Sequence, residues 1–246
     1  MLNTLPVERR GSYGRRATDA ASPKRLLNQT PRLGAQTIEA LRNCASATMV
    51  EYPPRTPLFP QGLLTDTVFL ITSGLVKLTH VDSDGKEIIV GVRPSGWLLG
   101  VTALILNQPQ LTGVVTLTHC QLMRISGAEI RDSMRAGFTF CRYLNELLAL
   151  DVHDHLLNIV ELTSHSTEYR LAKLLAQLIF GVHSSQPTAG RNVQLPFKQW
   201  EIAELLAVTP EHTCRVLRRL EQEGLVLRRG KLLFVPEPER LLSFSR

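Results

Sequence analysis

The chain has 246 residues, of which 43% are hydrophobic and 20% charged, with a formal net charge of +6 at pH 7. This composition suits two modest globular domains and excludes wholly disordered, collagen-like and disulfide-scaffold proteins. Four cysteines (Cys44, Cys120, Cys141, Cys214) form no C-x-x-C pair, which argues against a zinc ribbon, a thioredoxin motif or a local iron–sulfur cradle and points to reduced thiols.

Charge is uneven along the chain. The first 33 residues carry 7 Lys or Arg against 2 Asp or Glu, residues 34–165 carry 9 against 12, and residues 166–246 carry 12 against 8. The N-terminal excess (Arg9, Arg10, Arg15, Arg16, Lys24, Arg25) lies among Gly, Ser, Thr and Pro, so residues 1–32 read as a flexible basic tail. That tail has no signal-peptide core, and no stretch approaches the roughly 20 apolar residues of a membrane span. A cytoplasmic protein with no membrane partner is expected. The basic C-terminal third suggests a polyanionic partner, because clustered cations release counterions from a phosphate backbone.

Residues 33–137 read as a β-rich unit. From Glu51 to Ile125, runs of Val, Ile, Leu and Thr are broken by turn residues, with strands expected at Val68–Ile71, Leu75–Thr79 and Glu87–Val90. Gly62, Gly74, Gly85 and Gly96 recur at spacings of 12, 11 and 11, as successive antiparallel strands require, and Asp84-Gly85 is a hairpin signal. A small barrel or roll follows from this pattern. Residues 138–163 hold no Pro or Gly and read as one long helix. Cys141, Leu148, His155 and Leu162 at one heptad position and Asn145, Val152 and Ile159 at another make a mostly apolar seam. One face then packs on the roll and the other on the same helix of a second copy; burial within a monomer is the alternative.

Thr163 to Ser166 supply a hinge, and residues 164–246 a second domain. There a helix is expected from Thr167 to about Phe180, a loop over Ser184–Gly190 and a short strand over Val193–Phe197. Residues 198–223 form two helical patterns meeting at Ala207-Val208-Thr209, with Thr209 as N-cap and Pro210 at the first helical position. Ile202, Ala203 and Leu206 share the inner face of the first helix; Thr213, Val216, Leu217 and Leu220 share that of the second. Glu211, Cys214, Arg215, Arg218 and Arg219 face out. Two apolar strands from Leu225 to Val235 follow around a basic turn, as a wing carrying Arg228, Arg229 and Lys231. Arginines on one helix alone would read as a solvated face paired with Glu221 and Glu223. A helix-turn-helix followed directly by a basic wing points instead to double-stranded DNA, with Arg215 suited to guanine and Glu211 to a cytosine amino group.

The chain resembles transcription regulators of the cyclic-AMP receptor/fumarate-nitrate regulator (CRP/FNR) family, from about Leu33 to Leu242. The resemblance rests on Pro57-Leu58-Phe59-Pro60-Gln61-Gly62, Val68 to Gly74, Asp84-Gly85-Lys86-Glu87, Gly96-Trp97-Leu98-Leu99-Gly100 and the segment Leu205 to Gly224. It implies an α+β architecture: a cyclic-nucleotide-binding-like β-roll, a long dimerisation helix and a C-terminal winged helix-turn-helix domain. It also implies a homodimer on a near-palindromic operator, RNA polymerase as a partner, and no enzymatic activity. Base contacts are implied for Glu211, Cys214 and Arg215; Thr209, Arg218, Arg219, Arg228, Arg229 and Lys231 are expected on the DNA backbone. Cys214 stands where members often have Ser or Gly.

The departures concern the effector. Cyclic-AMP binders have Gly-Glu and, some ten residues on, Arg-Ser/Thr-Ala; here Gly100-Val101 and Leu111-Thr112-Gly113 stand at those positions. Without the carboxylate and the guanidinium there is no clamp for ribose and cyclic phosphate, so cyclic AMP is not the expected effector. The N-terminal cysteine cluster of the oxygen-sensing branch is absent as well, which argues against an iron–sulfur cluster. Leu98, Leu99, Val101, Leu111, Val114 and Val115 suggest an apolar pocket for haem, an apolar ligand or side chains alone; Leu99, Val101, Leu111, Thr112 and His155 are its candidate residues. His155 on the seam reads as a register-setting polar residue, with haem, metal or proton sensing as the sharper alternative; His80 and the His119-Cys120 pair are further candidate ligands, and Cys141 on the seam reads as a buried thiol, with a redox-sensing interchain disulfide as the alternative. A nucleotide-responsive protein acting on protein partners is the alternative function. A metalloenzyme using His153, His155 and His165 fails, because His153 and His155 point to different helix faces.

Overall fold

A computed structural model describes residues 39, 41–182, 191–194, 196–229, 232–237 and 240–241 of the chain. The basic tail, the 184–190 loop and Lys231 at the wing tip lie outside these residues. The order is β1 (Thr48–Tyr52), β2 (Pro57–Phe59), β3 (Thr67–Ser73), β4 (Val76–Val81), β5 (Glu87–Arg93), β6 (Leu98–Leu99), α1 (Val101–Leu106), β7 (Gly113–Thr116), β8 (Cys120–Ser126), α2 (Gly127–Ala136), α3 (Phe138–Ser164), α4 (Thr167–Val182), β9 (Arg191–Gln194), α5 (Gln199–Leu205), α6 (Pro210–Gln222), β10 (Leu227–Arg229) and β11 (Leu232–Val235). The chain is therefore α+β, as expected.

The roll is two four-stranded antiparallel sheets, β1-β8-β3-β6 and β2-β7-β4-β5. Its turns use the glycines singled out by spacing. Gly74 has φ +95, and a Cβ there would lie 2.5 Å from the His119 carbonyl oxygen, so no side chain fits where β3 turns into β4. At the β4–β5 hairpin, Asp82 accepts from the N–H groups of Asp84 and Lys86 at 3.0 and 2.9 Å, closing the turn around Gly85. Sequence reasoning did not separate α1 and α2 from the surrounding strands. For α2 a signal was present: Ser126 accepts from the Glu129 N–H at 3.3 Å, a Ser-x-x-Glu start.

The roll core gathers Phe59, Val68, Phe69, Ile71, Trp97, Leu98, Leu99, Val101, Val114, Leu122 and Ile125, and takes in Phe140, Tyr143, Leu144 and Leu147 from the first half of α3. Those four recur at helical spacing and form the face that docks α3 on the roll. In the second half of α3 one apolar face is exposed among the described residues: Val152, Leu156, Ile159, Val160 and Leu162 are 60%, 57%, 59%, 51% and 44% exposed. The expected seam divides accordingly. Cys141 and Leu148 are half-buried on the chain's own body, the Cys141 thiol donating to the Met134 carbonyl at 3.0 Å, while Val152, His155, Ile159 and Leu162 are exposed.

The α3 helix ends at Ser164, and Ser166 accepts from the Tyr169 N–H at 3.2 Å to start α4. A second core gathers Leu171, Leu175, Phe197, Ile202, Leu206, Val216, Leu217, Leu220, Leu225, Val226, Leu233 and Val235, and also Leu75 and Leu117 from the roll. The strand expected over Val193–Phe197 instead spans Arg191–Gln194 and pairs with β11. Pro196 lacks the N–H a ladder requires, and Phe197 turns into the core.

Candidate nucleic-acid interface and inter-domain cleft

Helices α5 and α6 cross through small and apolar residues. Ile202 and Ala203 of α5, Leu206 just after it, and Thr213, Val216, Leu217 and Leu220 of α6 are all buried, as their spacing predicts. Pro210 opens α6, and the Thr209 hydroxyl accepts from the His212 N–H at 3.2 Å. With one face fixed, α6 turns Glu211, Arg215, Arg218 and Arg219 to solvent. Cys214 is only half exposed, because the Gln199 side chain of α5 contacts its sulfur.

Electrostatics differ along this face. The Glu211 carboxyl is held below the usual range by its own N–H, the Thr209 hydroxyl and the Arg215 charge, so it stays ionised and acts as an acceptor only. Arg215 and Arg218 have no ion pair among the described residues. Arg219 pairs with Glu168 of α4 at 3.2 Å, and Arg228 with Glu221 at 3.5 Å. These two arginines would have to exchange carboxylate for phosphate, the solvated-face arrangement that an isolated helix suggests. Strand β10 carries Arg228 and Arg229 and pairs with β11, giving the expected wing.

The residues read as an effector pocket do not converge. Leu99 and Val101 are 4% and 2% exposed and belong to the roll's close-packed core. Leu111 is 75% exposed, a correction to its place in an apolar interior. Its carbonyl oxygen lies 3.0 Å from Nδ1 of His80. Thr112 is half-buried beside it. Cys120 is buried and donates to the Leu75 carbonyl at 3.3 Å, whereas His119 points outward to Glu51 at 3.7 Å, so that pair presents no joint ligand set. Among the described residues no group of three His, Cys, Asp or Glu side chains is placed to hold a metal ion, and no helix is long and apolar enough to cross a membrane.

A cleft of about 970 Å³ opens elsewhere, between β5, the second half of α3, α4 and the α5–α6 turn. Arg93 forms one wall. Its guanidinium pairs with Asp151, donates to the Val92 carbonyl at 3.0 Å and lies 4.7 Å from the centre of the Trp97 ring. It passes over Gly91, where a Cβ would come within 2.8 Å of it. Burial pushes the Asp154 carboxyl up against the opposing pull of Arg93. His155 borders the cleft, with Nδ1 2.7 Å from the Asp151 carbonyl oxygen. Lys86, Arg170 and Lys173 add three further cations, and Arg170 Nε and Glu204 Oε2 are buried with no hydrogen-bond partner among the described residues.

Sequence reasoning missed one more cluster. Glu201 of α5, fully buried, takes Arg55 and Lys77 from the roll as ion partners. The signal available was an acidic residue beside the inner face of α5, which reads equally well as a helix-start charge.

Family comparisons agree with this geometry. Residues 49–136 match a cyclic nucleotide-binding domain and residues 169–244 a Crp-like helix-turn-helix domain. The CRP-like protein Clp of Xanthomonas oryzae pv. oryzae is 26% identical over 211 residues, covering 83% of this chain and 90% of its own. Among solved structures, the c-di-GMP-responsive global regulator CLP of Xanthomonas campestris superposes with a TM-score of 0.65 at 26% identity, over 82% of this chain and 99% of that one. FixK2 of Bradyrhizobium japonicum shares the fold, with a TM-score of 0.69 at 16% identity, over 81% of this chain and 98% of its own.

Proposed function

The chain belongs to the CRP/FNR family of DNA-binding transcription regulators, and from that premise we propose that it acts as a homodimer on a near-palindromic operator under an effector other than cyclic AMP. Members of this family are regulators rather than enzymes. The observation that carries the reading is α6, whose apolar face is sealed in the second core while Glu211, Arg215 and Arg218 stand in solvent. In the major groove Arg215 gives two hydrogen bonds to one guanine, Glu211 accepts from a cytosine amino group, and the half-covered Cys214 sits against the base pair between them. Thr209, Arg218, Arg219, Arg228, Arg229 and Lys231 hold the phosphates. The second half of α3 meets its copy through Val152, Ile159 and Leu162 at the dimer seam, leaving RNA polymerase to be met in the cytoplasm by the outer surface.

The test is equilibrium binding of wild type and Arg215→Ala to a duplex that the wild-type protein selects from a random pool. Losing one bidentate base contact costs about 1–3 kcal/mol and relaxes preference at that base pair, with the melting curve unchanged. Unchanged specificity in a folded variant would sink the reading.

For the effector, the cleft under β5 is a better candidate than the roll interior, where Leu99 and Val101 are buried in the core. Lys86 and Arg170 beside the apolar Ile88, Leu157 and Leu174 offer groups a nucleotide could meet, although Arg93 and Lys173 are already paired with Asp151 and Glu161 and the acids Asp154 and Glu204 share the lining. The response of the Xanthomonas relative makes a cyclic dinucleotide the first ligand to titrate. Heat released on adding cyclic di-GMP, with none for cyclic AMP, is the expected calorimetric result; the reverse order would return the effector to the roll.

A further inference from the structure

Glu201 is an acid with no exposed surface, yet it lies in a helix whose task is to support the recognition helix. Its carboxylate meets Arg55 Nη1 and, at 2.9 Å, Lys77 Nζ, both from the roll. Its second oxygen accepts from the Lys198 N–H at 2.7 Å. Lys77 is 6% exposed, also reaches Glu87 at 3.3 Å, and lies 5.1 Å from the centre of the Trp200 ring. Arg55 sits at the strained φ of +67, held by its N–H on the Thr116 carbonyl at 2.8 Å, and donates Nη2 to the Pro196 carbonyl at 2.7 Å. Three polar contacts and one cation–π contact thus run between two units joined covalently only at the α3–α4 turn. Burial alone would raise the Glu201 carboxyl, but Arg55, the Lys198 N–H and Lys77 outweigh it and keep it ionised.

Buried ion clusters contribute little net stability, because desolvation offsets most of the attraction, but they fix geometry closely. If the second domain swings away, all three charges regain water. The cluster is therefore selective for one orientation without making it irreversible. Because α6 is packed on α5, that orientation is also the orientation of the base-reading face, which stands open to solvent while the cluster is closed. We propose that Arg55, Lys77 and Glu201 form a latch between roll and DNA-binding domain, with Glu201 the positioning residue that holds the recognition helix in its DNA-competent orientation. This route runs directly from β4 to α5 and bypasses the long helix. It rests on the DNA-binding reading above.

The experiment compares full-length wild type with Lys77→Met, Glu201→Gln, their double variant and Lys77→Arg, by amide hydrogen exchange and by affinity for the duplex selected by wild type. Either neutral substitution should speed exchange across residues 199–205 and lower affinity by roughly tenfold, a usual size for inter-site coupling, while β8 amides stay protected. The double variant should lose no more than the worse single one, since both break one latch, and Lys77→Arg should retain both properties. Wild-type exchange in 199–205, additive losses or tighter DNA binding would each overturn the latch. Should Glu201→Gln expose β8 as well, Arg55→Gln, at a 35% exposed side chain, carries the same test. If wild type selects no duplex, the DNA-binding reading fails while the exchange measurement still decides the latch.

Discussion

At the scale of single residues, the helix caps and side-chain staples decide more than their size suggests. Thr209 ends the turn between α5 and α6 with its hydroxyl on the His212 N–H, so Thr209→Ala should cost about 1 kcal/mol, read as a lower urea midpoint with an unchanged slope. Glu129 gathers the Ser46 hydroxyl, the N–H groups of Ala45 and Ser46, and the Ser126 hydroxyl. The Ser46 hydroxyl is the leading cause that holds its carboxyl below the usual carboxylate range. A depressed folded-state pKa means stabilisation that is present above the unfolded pKa and lost as pH falls through the folded one. Urea midpoints of wild type and Glu129→Gln should therefore differ at neutral pH and converge in acid; a constant gap would contradict the ionised staple. Which side chains of α6 face the core and which face solvent was legible because a 3.6-residue period fixes which of them share a face. Leu111 was not: a leucine between strands reads as interior, and only the path of the chain, whose Gln110 N–H is tied to the Leu63 carbonyl, puts it outside.

At the scale of elements, α3 shows how far periodicity reaches. Its extent was legible to within a residue, because nothing from Phe138 to Ser164 interrupts a helix. The division of its faces was not, since a long apolar seam does not reveal which half meets its own roll. Leu147, 2% exposed and facing that roll, should cost about 2–5 kcal/mol when cut to alanine, measured by denaturant unfolding. Val152→Asp with Ile159→Asp, on the exposed face of the second half, should leave the melting transition of the roll in place and turn a dimer into a monomer in sedimentation equilibrium. A dimer that survives both charges would mean that this face of α3 is not the seam.

At the scale of the molecule, the two units share more than a hinge. Leu75 and Leu117 of the roll enter the second core, and Glu201 binds residues 146 and 124 positions away. Neither contact leaves a local trace in the sequence, because hydrophobic period and turn chemistry report on neighbours and not on docking between domains. The cleft is illegible for the same reason: β5, α3, α4 and the α5–α6 turn are separated in sequence and meet only after folding. What was legible, the roll, the long helix, the helix-turn-helix and the wing, is the part specified by short-range pattern.

The most direct measurement is the affinity of the full chain for a selected palindromic duplex and for a scrambled duplex of equal length, each over a salt series, with the number of chains per duplex counted by sedimentation. Two chains on the palindrome, a preference for it that survives rising salt, and a steep fall of scrambled-duplex binding with salt are the expected results. Equal affinity for both duplexes at every salt concentration would contradict sequence-specific regulation and leave only the charge of the C-terminal third acting on DNA.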